Sequence, residues 1–230
     1  MKVLLIGDDQ KVMKHISFSL HLRWPNTTVV SAAVGSRGIE LTKAESPDVV
    51  MVDFSLPDMS CADLVTRIRE FSYVPLIVLM GEESEMDRAE LLEAGADEYF
   101  VKPFSPTDVQ ARVNALLRRT RGEGFKPGHL PFVAGNLEIN FATRQVFVSG
   151  VPVELSPLEY DLLCELVTNE GRVLTHRALL EKVWGPEYVS DLPLVKDLMY
   201  RLRKKLGCGE NHRQLIRSER GVGYKFMELS

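Results

Sequence analysis

The first 120 residues alternate between two apolar patterns. Short continuous runs occupy residues 2–6 (KVLLI), 28–33 (TVVSAA), 49–53 (VVMVD), 75–80 (PLIVLM) and 97–101 (DEYFV). They are too short for most helices, and the most apolar of them fit strands buried on both faces of a parallel sheet. Between them lie segments of roughly helical spacing. Residues 10–24 space Val12, Met13, Ile16, Leu20 and Leu22 in this way, and residues 62–71 carry Leu64, Val65 and Ile68 as a buried stripe. Residues 38–44, 86–94 and 106–118 complete the set, with Pro25 and Asn26 stopping the first helix and Gly95 capping the fourth. Strands and helices in strict alternation predict an α/β fold with a doubly wound, five-stranded parallel sheet.

The pattern changes after residue 118. RRTRGEGFKPGHLP is charged, rich in Gly and Pro and without periodicity, which reads as a linker. The expected division is a first domain over 1–121, a linker over 122–131 and a second domain over 132–230. In the second, short strands are expected at 135–140, 145–149 and 151–155. Ser156-Pro157-Leu158-Glu159 then opens a helix with a cap, a proline at the first position and a glutamate at the third. That helix runs to Thr168, Thr175 caps another over 177–183, and a third covers 193–206. Val195, Leu198, Met199, Leu202 and Leu206 line one side of the third helix. Lys196, Asp197, Tyr200, Arg201, Arg203 and Lys204 line the other. The chain ends in a hairpin pattern: LIRSER, a turn at Gly221-Val222-Gly223, then YKFMEL. Three helices with a basic third, followed by a basic hairpin, are the parts of an α+β winged helix-turn-helix domain. Its third helix would enter the major groove and its hairpin the adjacent backbone or minor groove.

Charge sharpens this division. The chain of 230 residues has a net charge of −4, but residues 196–225 carry nine Lys and Arg against three acids. The three cysteines are widely spaced and match no metal pattern, so reduced thiols in a cytoplasmic protein are expected. The first residues, MKVLLIGDD, do not read as a signal peptide, and no run approaches the ~20 apolar residues of a membrane span.

Charged residues also close three of the strands in the first domain: Asp8 and Asp9, Asp53, and Lys102. The carboxyl ends of a doubly wound sheet meet at one edge. Clustered carboxylates call for a hard cation, and few oxygen ligands favour Mg²⁺. A lysine beside it balances an incoming dianion. The chemistry this points to is phosphoryl transfer onto a carboxylate, with Asp53 as nucleophile.

Asp8-Asp9, Asp53 followed by LPD, and GADEYFVKPF (residues 95–104) together resemble the flavodoxin-like receiver domain of two-component response regulators. The resemblance implies that Asp53 accepts phosphate from a sensor histidine kinase. It also implies that Asp8, Asp9, Asp53 and the carbonyl of Ser55 hold Mg²⁺, and that Lys102 contacts the phosphoryl group. Met80 and Tyr99 fall at the switch positions. Met80 departs from the Thr or Ser usual there, because a methionine cannot donate a hydrogen bond. Asp97 and Arg112 match a pair that joins relatives across a dimer axis, whereas Glu90 and Asp108 would offer like charges there.

In the second domain, ELSPLEYDLL, LLEKVWG, RLRKKLG and IRSERGVGYKF resemble the DNA-binding domain of OmpR/PhoB-type regulators. The resemblance implies a transcription factor that binds double-stranded promoter DNA through Lys196, Tyr200, Arg201, Arg203, Lys204 and the wing residue Arg220. It further implies a homodimer when active and a contact with RNA polymerase through residues 185–192. One rival reading keeps fold and DNA binding but makes activity independent of phosphorylation, because of Met80. Another, an aspartyl-phosphate phosphatase, needs an acid two residues after the nucleophile, and position 55 is Ser. A third is a scaffold whose basic half meets protein or RNA.

Overall fold

A computed structural model describes residues 1–81, 85–120, 131–207 and 215–227. The chain divides into two compact units, Met1–Thr120 and Arg121–Ser230. Cys208 and most of the expected linker lie outside the described residues.

The first unit is a five-stranded parallel sheet in the order β2-β1-β3-β4-β5. Its strands are β1 (Lys2–Ile6), β2 (Thr28–Ala32), β3 (Val49–Asp53), β4 (Leu76–Met80) and β5 (Glu98–Val101), separated by α1 (Gln10–Arg23), α2 (Gly35–Glu45), α3 (Cys61–Arg69) and α4 (Glu85–Ala94). The last helix, α5 (Pro106–Thr120), follows β5. Every residue of β3 and β4 is buried, which is why their sequences are continuous rather than alternating. The strand order reverses at β1, so the carboxyl ends of β1 and β3 lie side by side.

Several side-chain oxygens close the helix ends. Asp9 Oδ1 accepts from the backbone N–H groups of Lys11 (2.9 Å) and Val12 (3.2 Å) at the start of α1. Asp58 spans the N–H groups of Gly35 (2.7 Å) and Ser36 (2.9 Å) at the start of α2. Both carboxyls are held below the usual carboxylate range, Asp9 chiefly by the Val12 N–H and Asp58 chiefly by the Ser36 N–H. Asp108 is lowered in the same way by the Ser105 hydroxyl. A lowered folded pKa means stabilisation present above the unfolded value of about 3.9 and lost as pH falls through the folded values. The melting midpoint of the first unit should therefore drop as pH falls below about 4, with a shallower drop in Asp58→Asn. A wild-type midpoint that holds constant through that range contradicts this assignment.

The second unit opens with an antiparallel sheet of β6 (Phe132–Ala134), β7 (Leu137–Asn140), β8 (Gln145–Val148) and β9 (Val151–Val153). Then follow α6 (Pro157–Thr168), β10 (Val173–Thr175), α7 (His176–Val183), a 3₁₀ turn at Pro186–Tyr188 and α8 (Leu192–Lys205). The hairpin of β11 (Ile216–Glu219) and β12 (Gly223–Phe226) completes a second sheet in the order β10-β12-β11. Ser156 and Glu159 form the expected capping box of α6. Buried Glu159 also accepts from Lys205 Nζ at 2.7 Å, tying the end of α8 to the start of α6. Two strands lie outside the sequence-based expectation, β6 and β10, each only three residues long.

Candidate functional site

In the first unit, β3 delivers Asp53 to the carboxyl edge of the sheet. Its side chain is almost fully buried, with Oδ2 accepting from Lys102 Nζ at 2.7 Å and Oδ1 from the Ser55 N–H at 3.2 Å. Lys102, expected beside the phosphoryl group, here stands against the acceptor carboxylate itself. Lys102, at the end of β5, reaches an aspartate two strands away.

The three expected carboxylates do not play equal parts. Asp8 is exposed and borders an open cleft of about 300 Å³ that it shares with Lys14 and Ser31. Asp9 instead serves as the N-cap of α1. The cap uses Oδ1 alone, and an Asp directly before an apolar-periodic segment is the sequence signal for it. The residue that packs on Asp53 is Gly7, where a Cβ would come within 2.8 Å of the Asp53 Cβ. Among the described residues no group of three or more His, Cys, Asp or Glu stands close enough to hold a metal ion. The oxygens expected to hold a cation are those of Asp8, Asp9, Asp53 and the Ser55 carbonyl. A few carboxylates and a carbonyl fit Mg²⁺, which keeps several waters, better than a cation that needs a full protein cage.

Met80 ends β4 fully buried, and Tyr99 is buried on β5 with the Arg88 guanidinium 5.5 Å from its ring centroid. Cys61 lies close enough to Asp53 to feel its charge. Burial, with that charge second, pushes its thiol up to about 12, so it stays protonated and unreactive.

Both members of the expected dimer pair have partners within the chain. Asp97 is buried and takes a salt bridge from Arg69 Nη2 at 2.8 Å and the Leu76 N–H at 2.9 Å. Arg112 pairs with the next acid along, Glu98, at 2.9 Å, and its guanidinium stands 5.2 Å from the Phe100 ring centroid. The one-residue step matters because successive side chains alternate along a chain entering a strand.

In the second unit, α8 exposes part of the expected polar face. Lys196, Tyr200 and Lys204 are exposed, as is Arg220 at the tip of the hairpin. Arg201 is only 9% exposed, which removes it from the outward set. Arg203 turns to the hairpin, donating from Nη2 to the Ile216 carbonyl (2.7 Å) and the Ser218 hydroxyl (3.0 Å). Alternate members of the basic run thus serve the fold. One exposed hairpin cation falls outside the expected set: Arg217, whose contact with Glu219 is long at 3.4 Å. His176 stands T-shaped to Tyr224 at 5.4 Å, and burial with the nearby Lys196 charge lowers its pKa. No described helix is long and apolar enough to cross a membrane.

Residues 3–114 match the family described as "Response regulator receiver domain", and residues 150–226 match "Transcriptional regulatory protein, C terminal". Similarity also runs the full length. The chain is 34% identical over 224 residues to the DNA-binding response regulator MtrA of Mycolicibacterium smegmatis, covering 97% of this chain and 96% of that protein. It is 36% identical to the transcriptional regulatory protein PrrA of Mycobacterium bovis, covering 97% and 94%. It is 32% identical to the KDP operon transcriptional regulatory protein KdpE of Escherichia coli, covering 98% of each. Among solved structures, a RitR mutant matches with a TM-score of 0.75 over 99% of both chains at 24% identity, a likeness of fold.

Proposed function

The chain belongs to the DNA-binding response regulators of the OmpR/PhoB type, and on that premise we propose that Asp53 is the phosphoacceptor through which a sensor histidine kinase controls promoter binding. The observation that carries this reading is the buried Asp53–Lys102 pair at 2.7 Å. An Asp53 oxygen attacks the phosphorus of a kinase phosphohistidine. The P–O bond forms as the P–N bond breaks, and the departing imidazole takes a proton from solvent. Lys102 then shares its charge with the transferred phosphoryl oxygens, which it already does for the carboxylate. Asp8, Asp9, Asp53 and the Ser55 carbonyl would hold Mg²⁺, which when bound offsets the negative charge that the phosphoryl group brings.

Burial confines the attack to one direction, because Gly7, the Ser55 N–H and Lys102 already enclose the carboxylate. Met80 supplies no hydroxyl to the phosphoryl group, so Lys102 carries more of that task than it would beside a Thr. The phosphorylation-independent rival draws on Met80 alone, whereas the acceptor pair and the full-length likeness to response regulators support phosphate control.

In the second unit, Lys196, Tyr200 and Lys204 would face the major groove of promoter DNA, and Arg220 the minor groove or backbone beside it. The active state in this reading is a cytoplasmic homodimer. Exposed Met86 and Val101 offer apolar surface for that dimer, and residues 185–192 face RNA polymerase. The test is mass spectrometry after treatment with Mg²⁺ and a small-molecule phosphodonor. The wild type should gain one phosphoryl group and Asp53→Asn none. Equal labelling of the two, or none in either, overturns the assignment.

A further inference from the structure

The hairpin of β11 and β12 projects the exposed cations Arg217 and Arg220, and Arg203 of α8 bonds to it. Arg203 Nη2 donates to the Ile216 carbonyl at 2.7 Å and to the Ser218 hydroxyl at 3.0 Å, both on β11. The same guanidinium stands 5.3 Å from the centroid of Tyr224, on β12. Tyr224 in turn meets the His176 ring at 5.4 Å, and the His176 N–H donates to the Val222 carbonyl at 3.1 Å. One guanidinium therefore touches both strands of the hairpin from the helix beside it.

We propose that Arg203 is a positioning residue of the DNA interface: it fixes the hairpin against α8, so that Arg220 and the exposed face of Lys196, Tyr200 and Lys204 meet one duplex together. The proposal rests on reading the second unit as DNA-binding. β12 is anchored by its pairing with β10, whereas β11 is the edge strand of that sheet, so a side chain that ties β11 to α8 bears on how the hairpin tip is held. A planar guanidinium suits this task because its donors leave in fixed directions and its face stacks on an aromatic ring. A hairpin already held in place loses less freedom when DNA binds, and affinity rises without an added contact. Arg203 differs here from Lys204, which is exposed and available to a phosphate.

A double-mutant cycle on the full chain separates positioning from direct contact. The probe is a duplex selected by the wild type from a random-sequence pool, with affinity measured at fixed salt. Arg203→Ala, Arg220→Ala and Lys204→Ala should each weaken binding about tenfold, the scale of a single lost contact. Combining Arg203→Ala with Arg220→Ala should cost little beyond either change alone, because a β11 edge released from α8 no longer holds the tip that delivers Arg220. Combining Arg203→Ala with Lys204→Ala should multiply the losses to about a hundredfold. Arg203→Lys, which keeps the charge but not the planar fork, should restore less than half of the lost affinity on a logarithmic scale. Multiplying losses for Arg203 with Arg220, or full restoration by Lys, overturns the proposal.

Should Arg203→Ala fail to fold, Ser218→Ala removes one acceptor while leaving the arginine in place. It should weaken binding about threefold, the scale of a single neutral hydrogen bond, and its loss should not multiply with that of Arg220→Ala. Multiplying losses there count against the proposal equally. Wild-type affinity in both Lys204→Ala and Arg220→Ala would instead show that the DNA reading of this surface is wrong, and the proposal falls with it.

Discussion

Replacing Asp97 by Ala should destabilise the first unit by about 3–5 kcal/mol, the cost of breaking a buried ion pair by removing one partner. The effect is large because of what Arg69 does. Its guanidinium donates to the carbonyls of Gly95 (2.9 Å), Ser72 (3.1 Å) and Val74 (2.7 Å) as well as to Asp97. That one side chain joins the end of α3 to the segments entering β4 and β5. Asp97 also accepts the Leu76 N–H at the first residue of β4. Without the carboxylate, a cation that is only 12% exposed loses its counter-charge and a buried N–H loses its acceptor. Thermal and urea melts of the full chain, followed by a signal specific to the first unit, measure the loss. A residue on a dimer face would behave in the opposite way, with an unchanged melt and weakened self-association. Arg112→Ala should cost much less, since Arg112 is 31% exposed and solvent screens its pair with Glu98.

Gly223→Ala should disrupt the second unit far more than Gly221→Ala, although both glycines belong to the hairpin turn of the sequence. At Gly223 an added Cβ would overlap the Leu174 carbonyl oxygen and lie 2.8 Å from the Thr175 Cα. Both atoms are backbone, so no side chain can swing aside. The substitution must push β12 from β10, breaking the pairing of Leu174 with Tyr224 and Thr175 with Gly223. A cost of about 3 kcal/mol, at the upper end for overpacking, is expected, together with loss of DNA binding. A Cβ added at Gly221 would meet nothing within 4 Å, but the residue adopts φ +75°, so alanine there should cost only about 1–2 kcal/mol of backbone strain. Melting curves and binding to duplex DNA rank the two. Equal effects would mean that the close approach of β10 and β12 is not what requires Gly223.

These glycines show where the sequence is informative and where it is not. The five parallel strands are readable because each is a continuous apolar run with no polar alternation. The capping box at Ser156 and Glu159 is readable because both halves are local. Asp53 and Lys102 are readable as charged residues ending such runs, and the fold brings them together. What fails depends on contacts distant in sequence. The strands β6 and β10 are too short to show a period, and β10 exists because β12 pairs with it. Asp97 reads as a surface residue because a charged side chain gives no sign of a buried partner, and Arg69 lies 28 residues earlier. Helical periodicity puts Arg201, Arg203 and Lys204 on one polar side of α8, yet only Lys204 is exposed. The other two flank the apolar stripe, where neighbouring elements cover them. Asp9 is legible as an N-cap, but charge alone groups it with Asp8.

The central claim is that phosphate on Asp53 changes DNA binding even though Met80 stands at the switch position. The most direct measurement is the affinity of the full chain for a duplex selected from a random pool, before and after phosphodonor treatment with Mg²⁺, beside Asp53→Asn under the same treatment. The predicted result is a gain of about tenfold or more for the treated wild type, the scale of a 1–3 kcal/mol coupling, and no gain for Asp53→Asn. Equal affinity in all samples, with phosphorylation of the wild type verified by mass, would contradict the account.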